Sequence, residues 1–395
     1  MKHAKKYKIA YVLTPVTFGG LEKVSLNFLS HVDREKFEIE PIMFVRPWEA
    51  ENFFADEISR LGFNSFSIPV SHSVKGELLR VPRCLLHLKK IVGMGQYDLL
   101  HTHGYLADLL GLPAAMISGV PLLSTCHGFI QGGLKLSLYN KLDLKALGCF
   151  DRVIAVSDSI RNDWLTNNVR PERIKVIENS TSCQELRRNP GDNRSTVREH
   201  YRKAAGASPE AIVLGFAGRL SREKGVADLI IAVKLLTESG VSIRLLVLGD
   251  GAQRAELEGL AAANGVTDKV HFAGFQADIG NWLTAMDIFI LPSHTEGTPL
   301  ALLEAMASAV PCIATAVGGI PAVIDQDVDG ILVAPGKPLE ICDAVQLLIS
   351  DRVKSAALAE KGRAKIERNY NVRSWARSIE QEYVRTICLN QSWPI

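Results

Sequence analysis

Short apolar runs alternate with helix-spaced amphipathic stretches along the whole chain. Strands buried on both faces read as continuous apolar runs, and helical patterns between them are the crossovers of a parallel sheet. In the first half the runs are KIAYVL, FEIEPIMFV, SFSIPV, YDLLHTH, PLLSTCH, RVIAVS and IKVIEN, which predict seven strands. Residues 184–209, QELRRNPGDNRSTVREHYRKAAGASP, are polar and poor in large aliphatics, the composition of a linker with a short helix inside it. The rhythm then restarts with AIVLGFAG, IRLLVLG, KVHFAGF, DIFILPS, PCIAT and GILVAP. The expected fold class is α/β: two doubly wound Rossmann-like domains facing each other across a deep cleft at the carboxyl ends of their strands. We place them at residues 1–185 and 186–372. Residues 373–395 then form a C-terminal helix that could pack on either domain, crossing back to the first in one of the two arrangements.

Length agrees, since 395 residues exceed what one ordinary core accommodates. Hydrophobic content of 47% with 22% charged residues is that of a soluble globular protein. Net charge is +2, with 26 Lys+Arg against 21 Asp+Glu in residues 1–200 (+5) and 19 against 22 in the remainder (−3). A mildly basic first half suits anionic lipids or substrates, and no aromatic-rich basic motif points to nucleic acid. The seven cysteines are scattered, without a C-x-x-C pair, as in a reduced cytoplasmic setting. The start, MKHAKKYKIAYVLTP, has too short an apolar run for a secretory signal and reads as a first strand. No run approaches the length of a membrane span.

Candidate chemistry concentrates in the second half. In SHTEGTPLALLEAMASAVPCIAT, Glu304 is the one acid in an apolar helical stretch from Pro299 to Ser308, and Glu296 stands just before it. We expect Thr298 to cap this helix and Pro299 to fill its first position. Its free N–H groups then make an anion site, which Gly297 opens to close approach. A buried carboxylate needs a partner. Glu304 is therefore either a structural ion pair, an exposed helix position, or an acceptor for ligand hydroxyls such as those of a ribose, with Glu296 nearer the reacting group.

GFAGRLSREKG ends a strand and carries Arg219 and Lys224, two cations placed to neutralise a diphosphate and stabilise it as a leaving group. Arg222 and Glu223 between them are expected to face solvent. LGDG lacks the full dinucleotide-binding spacing. Gly274 and Phe275 stand at another strand end, where backbone groups could read a base.

GRLSREKG, LGDG, HFAGF and EGTPLALLEAMASAVPCIATAVGGIPAVI, in this order, resemble the retaining family 4 glycosyltransferases of GT-B fold. FGGLEKV, DLLHTHG, STCHG and VIAVSDSIRN extend the resemblance over residues 7 to 375. It implies that Arg219 and Lys224 bind the donor diphosphate, that Glu304 takes the ribose hydroxyls, and that Glu296 contacts the transferred sugar. It also implies that the backbone of Gly297, Thr298, Pro299 and Leu300 lines the sugar-phosphate site, that Gly19 and Gly20 meet the phosphates, and that His127 faces donor sugar and acceptor. Two departures stand out: Ala309 replaces a common glycine, and ENST replaces the usual Asn-Gly, which leaves Asn179 unassigned as a site residue.

His101 and His103 should share one face of their strand. An H-x-H pair ligates zinc in some hydrolases, but the further ligands are missing from the sequence, so no metal site is assigned. DQDVDG starts like a calcium loop and fails at the twelfth position, Gly336. No cofactor and no divalent metal are expected, because Arg219 and Lys224 can serve the leaving diphosphate. GELLRVPRCLLHLKKIVGMG and LKLSLYNKLDLKALGCF mix Leu with cations at helical spacing, as core helices with snorkelling cations or as a surface that docks on the inner membrane. The resemblance implies a nucleotide-sugar donor, a saccharide or lipid-linked saccharide acceptor, and a role in bacterial envelope polysaccharide or lipopolysaccharide synthesis. A nucleotide-sugar 2-epimerase of the same fold and a non-catalytic nucleotide-binding protein are the rival readings.

Overall fold

The computed structural model describes residues 6–15, 19–46, 53–70, 77–128, 134–167, 169–182 and 194–391. Two compact units result: residues 1–179 with 372–395, and residues 180–371.

The first unit carries seven strands: β1 (Tyr7–Leu13), β2 (Phe37–Val45), β3 (Phe66–Pro69), β4 (Leu99–His103), β5 (Leu122–Cys126), β6 (Arg152–Ala155) and β7 (Ile174–Val176). They form one sheet in the order β3-β2-β1-β4-β5-β6-β7 with every pairing parallel. Each of the seven apolar runs read from the sequence coincides with one of them to within a few residues. Ile9 to Leu13, Leu99 and Leu100 are fully buried because helices cover both faces.

The C-terminal helix Val372–Gln391 belongs to this unit. The Tyr383 hydroxyl lies 2.8 Å from His101 Nδ1, and Trp375 packs edge-on against Phe28. Arg152 donates through Nε and Nη2 to Glu382 Oε2 at 2.9 and 2.6 Å, a pair buried on both sides. Helix Glu77–Gly95, the first of the two cation-rich segments, buries Cys84, Leu88 and Val92 and exposes Arg83, Leu86, Lys89, Lys90 and Met94. The cations therefore flank a core-facing stripe, as snorkelling predicts.

Between helices Tyr105–Ser118 and Leu134–Leu147, Asp108 and Asp143 share a hydrogen bond, and the Thr102 hydroxyl donates to Asp108. Both carboxyls are buried, which raises both pKa values, and the neighbouring acid raises that of Asp143 further.

The second unit has six strands: β8 (Ile212–Ala217), β9 (Ile243–Leu248), β10 (Val270–Gly274), β11 (Ile288–Leu291), β12 (Cys312–Thr315) and β13 (Ile331–Val333). Their order is β10-β9-β8-β11-β12-β13, again all parallel. Within the expected linker, residues 184–193 lie outside the described residues, and the short helix is Arg194–Ala204. Arg198 and Arg202 tie that helix to Asp287 at 2.6 and 2.9 Å. It is thus an integral part of the second unit.

Candidate active site

In the second unit the strand order reverses direction between β8 and β11, and open parallel sheets bind ligands at the carboxyl ends flanking that point. The loop after β8 carries Arg219 and Lys224, and the loop after β11 carries Glu296. The two motifs that the sequence separates by more than seventy residues therefore meet at the switch point. Lys224 Nζ lies 2.6 Å from Glu296 Oε1, with Glu296 almost fully buried. The Ser293 hydroxyl donates to the same oxygen at 2.7 Å. Ser293 is itself fixed, because Thr315 Oγ1 donates to its carbonyl at 2.5 Å.

Backbone contact holds these loops at their spacing. Gly225, at φ +63°, ends the short 3-10 turn Arg222–Lys224, and a Cβ there would stand 2.0 Å from the Pro292 carbonyl oxygen. Gly318, at φ +55°, would place a Cβ 1.8 Å from the Glu296 carbonyl oxygen. Only glycine meets both demands at each position. His294 N–H donates to the Glu223 carbonyl at 2.7 Å and Gly319 N–H to the Gly297 carbonyl at 3.2 Å. The LGDG stretch acts the same way: its Leu248 and Asp250 carbonyls accept from Gly218 and Leu220 N–H, so it braces the Arg219 loop.

Arg219 pairs with Glu223 at 2.7 Å and is half exposed. Glu223 is largely buried against it, contrary to the expectation that it faces solvent; the 3-10 turn folds it back. Arg222 is exposed as expected. Only the Arg219 end of this i,i+4 pair is solvent-exposed, so its guanidinium is the partner accessible to an anion.

The helix after Glu296 runs Leu300–Ala307, with Pro299 at its N-cap and no side-chain cap. The expected Thr298 cap and Pro299 start are thus corrected by one position. The extended backbone of Pro299 (ψ 115°) sets the boundary there. The amides of the first turn, from Leu300 to Leu302, have no acceptor within the helix. Glu304 is 1% exposed among Leu303, Ala305 and Met306, which rules out the exposed-face reading. Gly274 takes φ +70° at the end of β10 and its carbonyl accepts from Gly249 N–H at 2.7 Å, while Phe275 is exposed. Ala309 adopts φ +55°, the left-handed C′ position of a helix end, with Val310 N–H bonded to the Ala305 carbonyl and Ala309 N–H to that of Met306.

In the first unit the switch point lies between β1 and β4. Gly19 caps helix Gly20–His31, and its N–H donates to Glu22 Oε2 at 2.9 Å. That amide is therefore already bonded to a carboxylate of its own helix. Gly20 has open space where a Cβ would stand. His127 follows β5, partly exposed, with Nε2 3.2 Å from His103 Nδ1. Burial pushes its pKa down to about 4. His101 and His103 do share one face, with ring centroids 4.1 Å apart. His101 is held by Tyr383 and Thr125. Lys365 lies 2.9 Å from Asp325 and 3.1 Å from Asp329, and Lys354 2.8 Å from Asp327, so lysines fill the DQDVDG loop.

Sequence reasoning missed Ser293, Gly318 and the His103–His127 contact. Ser293 had a weak signal, three residues before Glu296; the others depend on chain crossings that periodicity does not reveal.

Comparison with known proteins bears on the same two units. The model of glycosyl transferases group 1 matches residues 197–365, and that of glycosyltransferase family 4 matches residues 18–185. The chain is 26% identical to an Escherichia coli UDP-Gal:alpha-D-GlcNAc-diphosphoundecaprenol alpha-1,3-galactosyltransferase, over 96% of this chain and 97% of that one. It is 30% identical to a D-inositol 3-phosphate glycosyltransferase of Xylanimonas cellulosilytica, over 74% and 73%. Among solved structures, Anabaena HepE in complex with UDP-glucose superposes with a TM-score of 0.82 at 22% identity, covering 96% of this chain and 99% of that one. A sucrose-phosphate synthase of Thermosynechococcus elongatus gives 0.79 at 20% identity, covering 97% and 100%. With both halves matched and the two parallel-sheet units in place, the chain belongs to glycosyltransferase family 4 and has the GT-B fold.

Proposed function

We propose that this protein transfers a sugar from a uridine diphosphate sugar to a hydroxyl of a saccharide or lipid-linked saccharide, with retention at the anomeric carbon and without a divalent metal. The observation that carries the reading is the Lys224–Glu296 pair, braced at the switch point of the second unit. Arg219 and Lys224 neutralise the leaving diphosphate. Glu304 accepts from the ribose hydroxyls, Glu296 from the sugar, and the backbone from Gly297 to Leu300 lines the sugar-phosphate, with Gly274 and Phe275 beside the base. His127 meets the sugar as a neutral ring. The bond from the anomeric carbon to the phosphate oxygen breaks, and the acceptor oxygen bonds the same carbon from the same face. The acceptor proton passes to the departing phosphate.

Uridine is favoured by the donor named for the Escherichia coli relative, whose acceptor is a diphosphoundecaprenol-linked sugar. That acceptor class supports a role in envelope polysaccharide synthesis at the cytoplasmic face of the membrane. No helix among the described residues is long and apolar enough to cross it. The exposed Leu86, Met94, Arg83, Lys89 and Lys90 on helix Glu77–Gly95 suit contact with an anionic surface.

Thermal unfolding with UDP-glucose, UDP-galactose, GDP-mannose and ADP-glucose tests the donor. A ligand at a hundredfold its Kd stabilises by about 2.7 kcal/mol. A UDP-sugar should raise the melting temperature of the wild type and do so less for Lys224→Ala. Equal shifts in both, or none with any nucleotide sugar, would contradict the reading.

A further inference from the structure

Parallel strands β4 and β5 pair His101 with Leu123 and His103 with Thr125. The same diagonal offset then repeats twice on one face. His101 Nε2 reaches Thr125 Oγ1 at 2.8 Å, and His103 Nδ1 reaches His127 Nε2 at 3.2 Å. The His103 ring is packed between Tyr11, 4.2 Å away, and His101, 4.1 Å away, which fixes its plane, and the contact with His127 sets Nδ1 on that edge. Its second nitrogen, Nε2, is sealed from solvent and has no hydrogen-bond partner among the described residues.

Burial holds both rings neutral, so only one proton lies between them. Two arrangements are possible. If His127 Nε2–H donates, the proton of His103 sits on Nε2, a buried N–H without an acceptor. If His103 Nδ1–H donates, Nε2 keeps a lone pair, and the proton of His127 moves to Nδ1. A buried N–H left unpaired is the rarer of the two defects in folded proteins. The hydrogen bond made by one ring nitrogen decides what the other carries.

We infer that His103 is a positioning residue for glycosyl transfer: it donates from Nδ1 to His127 Nε2, fixes His127 as its Nδ1–H tautomer, and makes it a hydrogen-bond donor toward a sugar oxygen. The tautomer assignment stands on the geometry; its consequence for transfer rests on the proposed place of His127 at the sugar. His127 then acts without proton transfer, holding a hydroxyl or ring substituent in place while the leaving group departs.

The test is a long-range ¹H–¹⁵N correlation on the full chain labelled with ¹⁵N-histidine, with His127 assigned by the signal lost in His127→Gln. The wild type should show the Nδ1–H pattern for His127 at neutral pH. His103→Asn, whose amide N–H can stand near the ring's Nδ1–H, should keep that pattern and hold kcat within about threefold. His103→Leu should shift His127 toward the Nε2–H form and lower kcat by about tenfold or more, with donor KM nearly constant. A melting curve with and without UDP-sugar reports whether each variant is folded. An Nε2–H pattern in the wild type, or an unchanged pattern in a folded His103→Leu, would overturn the inference. A shifted tautomer with undiminished kcat would uphold the assignment and overturn the place of His127 at the sugar.

Discussion

Lys224 Nζ and Glu296 Oε1 stand 2.6 Å apart, and the Ser293 hydroxyl shares that carboxylate oxygen. A cation and an acid are thereby held side by side at the carboxyl ends of the strands. Removing one member exposes the other. Lys224→Ala should lower kcat by about 10²–10³-fold, the range for losing one charge-stabilising donor in an active site. Glu296→Gln should leave the fold intact and cut transfer by at least about 10²-fold. Steady-state rates on the two variants check this, and near-normal transfer by Glu296→Gln would contradict it. With Arg219 and Lys224 serving the leaving group as proposed, dialysis against EDTA should leave the rate unchanged; a loss restored by Mg²⁺ or Mn²⁺ would refute that proposal.

Glu304 is a buried carboxylate on an apolar helix, and the ligand proposed for it is the donor ribose. Glu304→Gln should weaken donor binding by about 1.5–3 kcal/mol, the usual worth of hydrogen bonds to a charged group. A 2′-deoxyribose donor supplies the second half of a double-mutant cycle. Wild type should lose affinity for it and Glu304→Gln should lose little more. Strictly additive losses in calorimetry would place the ribose elsewhere.

Asp108 and Asp143 lie buried together on helices Tyr105–Ser118 and Leu134–Leu147, each with its pKa raised by burial. A raised carboxyl pKa means that the folded chain keeps protons the unfolded chain has released. Above the ordinary value of 3.8 the folded state binds more protons, and the stability of the pair falls as pH rises. Asp143→Asn replaces the second carboxyl by a neutral donor. The melting temperature should rise at pH 8 by ~2–4 °C, what about 1 kcal/mol gives in a unit of this size. The gain should shrink at pH 5, and an equal gain at both would contradict the account.

Ala309 holds φ +55° with no glycine to relieve it. Ala309→Gly removes a left-handed strain of roughly 1–2 kcal/mol and adds a smaller backbone entropy cost, for a net gain of about 0.5–1 kcal/mol. The urea midpoint should rise at constant slope. A fall would show that the surrounding contacts of Ala309 outweigh the strain.

The same residue shows what the chain alone discloses. Ala309 was visible as a departure from the family glycine, but its positive φ was not. The strands were legible because fully buried parallel strands leave unbroken apolar runs, such as DIFILPS around β11. Glu304 was legible as an anomaly, a charge where the periodicity demanded none. Pairings across the sheet were not legible. His103 meets His127 through the register of β4 on β5, and His101 meets Tyr383 across 282 positions of sequence. Glu223 read as solvent-facing because flanking charges look alike in sequence, and only the 3-10 turn turns it onto Arg219. The LGDG glycines looked like a broken ligand motif and prove to be spacers for a neighbouring loop.

The central claim is retaining transfer from a nucleotide sugar, and the configuration of the new linkage tests it most directly. The enzyme is incubated with the UDP-sugar that stabilises it and a soluble lipid-diphosphate N-acetylhexosamine acceptor, and the product is read by ¹H NMR at the anomeric proton. An α-linked product from an α-configured donor is the predicted result. A β-linked product, or a donor epimerised at C2 with no sugar transferred, would contradict the account.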